Sequence, residues 1–238
     1  MVRLVRVLQV GRLCYGSALE LQRALAKEHL GAMNSGAWEE AADTLLLLEH
    51  EPVYTVGIRS AEYPEEVASK LTHTGAEFCR TDRGGLITFH GPGQLVAYPV
   101  LNLKRFQRNV RWYVAQLEEV AIRTCARLGV TAGRCEHTGV WVGDSKICAL
   151  GVHASRFITT HGLALNCNVD LAWFSHIVPC GIPGKGVTSL SRELARDVPV
   201  EEVVPVFLDS FSRLFQCELY DCPRDRAEEL LAGIAGEH

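Results

Sequence analysis

Between Arg83 and Gln94 the chain reads Arg-Gly-Gly-Leu-Ile-Thr-Phe-His-Gly-Pro-Gly-Gln, and few folds accommodate such a stretch. Glycines stand on both sides of a short apolar run, the shape of a backbone brought close to a ligand. Arg83 and His90 mark its two ends. The same residues predict a strand over Leu86–His90, a tight turn at Gly91-Pro-Gly93 and a second strand over Leu95–Leu101. Two later segments add chemistry. Lys146, in Lys-Ile-Cys-Ala-Leu-Gly, supplies an amine, and Cys180, in Val-Pro-Cys-Gly-Ile-Pro-Gly, supplies a thiol. Together they can make a reactive thiolate. A thiolate beside a glycine-walled apolar slot suits acyl transfer.

The remaining pattern is strand-rich with helices at intervals. Leu4–Val10 reads as a first strand. Ser17-Ala-Leu-Glu20 has the form of a capping box and predicts a helix from there to about Leu30. Thr44–His50, Val53–Val56 and Glu77–Arg80 read as strands. Val110, Val114, Leu117 and Ala121 recur at helical spacing, which predicts a helix over Asn109–Leu128 stopped by Gly129. Gly143-Asp144 joins Gly139–Val142 to Lys146–His153 as a hairpin. Phe157–Asn168 is a further strand, Asp170–Gly186 is irregular, and helices return over Glu201–Phe215 and Arg224–Ala235. A meander of strands with interspersed helices favours α+β over a doubly wound α/β sheet.

With 238 residues, 47% of them hydrophobic, the chain can bury a full core, and one domain over 1–238 is the simplest division. Its net charge of -4 argues against broad nucleic-acid binding. No apolar run approaches the length of a membrane span. The nine cysteines are odd in number, scattered, and without a Cys-x-x-Cys pair, which argues against a disulfide framework or a structural zinc. Residues 1–19 carry Arg3, Arg6 and Arg12 with no acid before Glu20, a mitochondrial import tendency that overlaps the first strand.

Each chemical residue has a bland reading as well as a sharp one. Cys180 is a buried structural thiol or a nucleophile whose flanking glycine lets backbone N–H groups approach an oxyanion. Lys146 is a solvated strand end or an inward cation. His90 is a ligand binder, a base or a turn cap, and His153, His161 and His176 compete with it as partners of a thiol. Lys104, Arg105, Arg108 and Arg111 form a solvated face or a docking patch for an acidic partner. Gly181-Ile-Pro-Gly-Lys-Gly186 lacks the spacing of a phosphate loop, so no Walker site is read there.

Arg-Gly-Gly-x-x-Thr-Phe-His-Gly-Pro-Gly-Gln-Leu (83–95) closely resembles the signature of the octanoyl-acyl-carrier-protein:protein octanoyltransferases of lipoate biosynthesis. Lys146–Gly151, His161-Gly-Leu-Ala-Leu-Asn166, Pro179-Cys-Gly181 and Gly186-Val-Thr-Ser-Leu190 match the later blocks in order. The resemblance runs from about residue 4 to 220, and the block from Trp173-Phe174 to Cys180 looks like the animal mitochondrial members. It implies the fold of biotin and lipoate protein ligases, a mixed sheet packed by helices. It implies transfer of octanoyl from acyl-carrier protein to a lysine of a lipoyl-domain protein such as the glycine-cleavage H protein, in the mitochondrial matrix, without ATP or a metal, as the first step of endogenous lipoylation. Carried over by position, Cys180 is the acyl-thioester nucleophile and Lys146 lowers its pKa and serves as acid and base. Arg83, Gly84, Gly85, Leu86, Ile87, Thr88, Phe89 and His90, with Ala149, Leu150, Gly151, Gly162, Leu163 and Ala164, line the acyl site. The visible departures are residues 31–43 and 131–138. An ATP-dependent lipoate ligase of the same fold and a catalytically silent lipoyl-domain binding module are the alternatives that remain.

Overall fold

The computed structural model describes residues 2–37, 41–61, 63–178 and 184–235. The chain opens with β1 (Arg3–Leu13) and α1 (Tyr15–Asn34), continues through β2 (Thr44–His50), β3 (Val53–Val56), α2 (Glu65–Thr72), β4 (Glu77–Arg80), β5 (Thr88–His90) and β6 (Gln94–Val100), and enters α3 (Val110–Arg127). Then come β7 (Val140–Val142), β8 (Ser145–Ser155), β9 (Ile158–Asn166), β10 (Gly186–Val187), α4 (Leu190–Leu194), α5 (Val200–Phe215), β11 (Cys217–Asp221) and α6 (Arg224–Ala235). Among the described residues these strands form two sheets. The larger runs β10-β8-β9-β6-β2-β1-β11, with β7 also paired to β8; the smaller runs β4-β3-β5.

The large sheet is mixed. β1 runs parallel to both β2 and β11, while β2–β6, β6–β9 and β8–β9 are antiparallel. Its position between two helical layers explains why the middle of β2, Leu45–Leu48, is apolar without interruption: a strand buried on both faces has no polar side to show. Leu45 and Leu47 join Leu117, Val120, Phe207 and Phe211 under α3 and α5. Leu46 and Leu48 face the other way, into Ala18, Leu21 and Leu25 of α1 and Leu230 of α6. The small sheet has its own core of Tyr54, Val56, Ile87, Phe89 and Phe174, where Phe89 stacks on Trp173 with centroids 4.9 Å apart. Helices layered on a mixed, mainly antiparallel sheet make an α+β architecture.

One reading of the sequence needs correction, and the structure adds to two others. The Ser17-Ala-Leu-Glu20 capping box is not used, because α1 begins two residues earlier. Cys14 is the N-cap without a side-chain cap bond, and its thiol lies 3.1 Å from the Ser17 hydroxyl. The burial of Tyr15 and Ala18 sets that start. The strands around Gly91-Pro-Gly93 do not pair with each other: β5 pairs with β3 and β6 with β2 and β9, so the turn carries the chain from one sheet to the other. The irregular 170–186 stretch contains a 3-10 turn over Leu171–His176, capped by the Asp170 carboxylate on the Ala172 N–H.

His50, at the end of β2, is fully buried. Its Nδ1 lies 3.2 Å from the Leu13 carbonyl, which can only accept, so Nδ1 carries the proton and Nε2 accepts from the Tyr98 hydroxyl at 2.7 Å. Both ring nitrogens are satisfied by the neutral tautomer, and burial lowers the His50 pKa from 6.5 to about 4. The unfolded chain therefore takes up a proton below about pH 6.5 that the folded chain refuses. Stability from this residue is complete above that pH and is lost as pH falls towards 4, by up to about 3 kcal/mol. We expect urea denaturation to give a stability that falls between pH 6.5 and 4.5, with a smaller fall in His50→Gln, which can keep both hydrogen bonds. Equal slopes for the two proteins would remove His50 as the cause.

Candidate active site

A cavity of about 580 Å³ lies where the 83–86 loop crosses β8 and β9. Arg83, Gly84, Gly85, Leu86, Thr88, His90, Ala149, Leu150, Gly151, Gly162, Leu163, Ala164 and Lys146 border it. Ile87 and Phe89, grouped with these by sequence, do not border it. Strand alternation sends Thr88 and His90 towards the cavity and Ile87 and Phe89 into the core of the small sheet. Cys180 falls in 179–183, outside the described residues. None of the other eight cysteines borders the cavity. Burial pushes the thiols of Cys148 and Cys167 up and that of Cys125 up to about 12, as befits core residues.

Lys146 points inward. It sits near the start of β8 with 6% exposure. Its ammonium donates to the Thr138 carbonyl at 3.1 Å and lies 4.7 Å from the centroid of the Trp141 indole. This seat depends on Gly139, which has φ +132°, a value that side chains rarely tolerate. A Cβ there would lie 2.9 Å from Lys146 Cε and 3.0 Å from the Cys148 carbonyl. The strand that follows residues 179–183 is tied to the same place: β10 pairs in parallel with the start of β8, Val187 opposite Lys146. The Thr188 N–H donates to the Lys146 carbonyl at 3.0 Å.

Arg83 holds the loop rather than standing at its end. Nη2 donates to the Thr55 carbonyl at 2.7 Å, the Thr55 hydroxyl at 2.8 Å and the Leu86 carbonyl at 3.1 Å, and Nη1 donates to the Gly84 carbonyl at 2.9 Å. One guanidinium thus fastens residues 83–86 to β3. The loop is also fastened to β8, where the Gly84 N–H donates to the Val152 carbonyl at 3.0 Å. A Cβ on Gly151 would come within 2.8 Å of the Gly84 carbonyl and 2.9 Å of Arg83 Cδ, so the contact requires glycine.

Two buried histidines of the wall, His90 and His161, are neutral. Gln94 donates its amide to the Phe89 carbonyl at 3.2 Å and the Asn166 side-chain oxygen at 2.8 Å, which leaves its own oxygen to accept from His90 Nδ1 at 3.2 Å. Burial, then the nearby His50 and Arg83, lower the His90 pKa well below its ordinary value. Its Nε2 is therefore a lone-pair acceptor. His161 donates from Nε2 to Asp82 at 2.9 Å, and burial still lowers its pKa. Tyr15, held up to about 12 by burial, stays a phenol. The cavity thus combines an apolar, glycine-lined part with neutral hydrogen-bonding rings and one seated ammonium.

Sequence reasoning missed several wall residues. Tyr98 and Val114 come from elements read only as strand and helix, Tyr15 from the stretch left between the first strand and the first helix, and Glu136, His137 and Thr138 from a segment read only as a departure from the family pattern. The hairpin predicted around Gly143-Asp144 was the available signal, since it folds 136–138 back over Lys146. His153 and His176 do not border the cavity.

Comparison with known proteins agrees with this geometry. The description "Lipoyl protein ligase A/B catalytic domain" matches residues 15–212. A Danio rerio protein named octanoyl-[acyl-carrier-protein]:protein N-octanoyltransferase, mitochondrial, is 55% identical over 215 residues, covering 90% of this chain and 94% of the relative. Its Homo sapiens namesake is 50% identical over 222 residues, covering 90% of this chain and 95% of the relative. A crystal structure of lipoate-protein ligase A bound with ATP shares the fold at a TM-score of 0.69 and 16% identity, covering 100% of this chain and 95% of that one. The chain belongs to the octanoyl-[acyl-carrier-protein]:protein N-octanoyltransferase family.

Proposed function

We propose that this octanoyltransferase moves an octanoyl group from octanoyl-acyl-carrier protein to a lysine of a lipoyl-domain protein, such as the glycine-cleavage H protein, through a thioester on Cys180. The observation that carries the reading is the seat of Lys146: an ammonium held inward at the wall of a glycine-lined cavity, next to the strand that follows the Cys180 segment. An ammonium in such surroundings favours a nearby thiolate over the thiol.

The Cys180 thiolate attacks the carbonyl carbon of the carrier thioester, the carrier's sulfur leaves, and the proton first taken from Cys180 passes through Lys146 to that sulfur. The acceptor amine then attacks the acyl-enzyme carbonyl. Its proton goes to Lys146 and on to the departing Cys180 sulfur, leaving an amide. Because the donor is already a thioester, the sequence needs neither ATP nor a metal. The eight-carbon chain lies along Leu86, Leu150 and Leu163, where each buried methylene contributes about 0.8 kcal/mol and chain length can be selected. The mitochondrial names of the relatives support action in that organelle, in the matrix on our reading, as the first step of endogenous lipoylation.

Incubation with octanoyl-carrier protein should add one octanoyl group, detected by intact-mass spectrometry and mapped to Cys180. Cys180→Ser should abolish the adduct, and its persistence in that variant would refute the assignment. Lys146→Ala should slow acylation most below about pH 8, where an unassisted thiol is mainly protonated. A rate ratio to wild type that does not change with pH would remove the role in thiol ionisation. Arg108 and Arg111 are exposed just before and within the first turn of α3, whose Val114 borders the cavity. Reversing both to Glu should weaken carrier-dependent turnover at low salt by raising KM, and unchanged kinetics would reject this face as the carrier's docking surface.

A further inference from the structure

Glu118 is a carboxylate on α3 with 9% exposure, beside the apolar core residues Leu117 and Val120. A carboxylate so placed needs partners for both oxygens. Oε1 accepts from the Gly139 backbone N–H at 3.0 Å, and Oε2 accepts from Arg134 Nε at 3.0 Å. These donors lie on opposite arms of one loop. Its base is closed by the Gly133–Trp141 pair, joined by backbone bonds of 2.8 and 2.9 Å. Arg134 also donates to the Ala115 carbonyl at 2.8 Å and pairs with Glu119 at 3.1 Å, so its arm lies along α3, while the Gly139 arm is held there by Glu118.

The loop carries the parts that seat Lys146. Thr138 supplies the carbonyl that accepts from its ammonium, Gly139 supplies the surface without a side chain on which Lys146 Cε rests, and the His137 carbonyl accepts from Trp141 Nε1 at 3.2 Å, which fixes the indole beneath the charge. Glu136, His137 and Thr138 also border the cavity.

We propose that Glu118 is the positioning residue of this site: by tying both arms of the 133–141 loop to α3 it fixes the place of the Lys146 ammonium without touching substrate. The proposal rests on the catalytic role given to Lys146 above, and it assigns a purpose to the 131–138 segment.

Two variants test it. Glu118→Ala removes both acceptors. Glu118→Gln keeps a side-chain oxygen for the Gly139 N–H and gives up the Arg134 contact. Single-turnover acylation by octanoyl-carrier protein should slow tenfold or more in Glu118→Ala, with the acid limb of its pH profile moved to higher pH, and Glu118→Gln should recover most of the rate. In a Lys146→Ala background, Glu118→Ala should cost less than a further twofold, whereas a purely structural role would cost the same in both backgrounds.

A readout independent of activity is reductive methylation of lysines followed by peptide mapping. Lys146 should be modified several-fold faster in Glu118→Ala than in wild type, with exposed Lys104 as the unchanged internal control. Equal Lys146 labelling in a folded Glu118→Ala would overturn the proposal. Faster labelling combined with full activity of Lys146→Ala would uphold the positioning role and sink the catalytic reading instead. If Glu118→Ala does not fold, Arg134→Met, which releases one arm, is read by the same labelling criterion.

Discussion

A lysine ammonium taken out of water must be met by oxygen atoms or a π face, and that requirement organises much of this molecule. Leaving such a charge unmet would cost several kcal/mol. Here the oxygen is the Thr138 carbonyl, from the chain between α3 and β7, and the π face is Trp141 of β7 itself. The requirement extends outward. Gly139 must lack a side chain so the lysine can pass, and the Gly139 N–H must itself be satisfied, which falls to Glu118. A chain of local necessities thus joins a helix in the hydrophobic core to a charge at the cavity wall.

Three buried histidines in and behind the cavity wall follow a different rule and are satisfied in their neutral forms. His50, His90 and His161 each have a defined tautomer because a neighbour can act in only one sense: the Leu13 carbonyl, the Gln94 amide oxygen and the Asp82 carboxylate all accept. Burial disfavours protonation of all three. The consequence is electrostatic economy. Arg83, which also borders the cavity, has its guanidinium occupied by Thr55, Leu86 and Gly84.

What could be read from the amino acids tracks how local each determinant is. β2, β3 and β4 have the bounds expected from their apolar runs, and α3 and α5 follow from apolar residues at helical spacing, because burial on a face leaves a periodic mark in the chain itself. Helix α2 buries only Ala68 and Leu71, too sparse a pattern to register, and β11 exists because β1 lies beside it in space. The Gly-Pro-Gly turn was visible, but its transfer of the chain between sheets depends on partners more than thirty residues away in the sequence. In the site, the type of each residue was legible and its direction was not. Ile87 and Phe89 were grouped with Thr88 and His90 because sequence adjacency hides alternation, and Glu118 could not be told from any other acid on a helix.

The placement of β1 bears on how the chain is made. Held between β2 and β11, with Arg3 opposite Cys217 and Val7 opposite Asp221, β1 has one partner close to it in the sequence and one far along the chain. Its partnership with β2 can form early, whereas the partnership with β11 is a long-range contact with a high loop-closure cost. The same arrangement limits proteolytic maturation: a cut after residue 13 would remove an interior strand, so any processing that leaves a working enzyme must spare Arg3–Leu13.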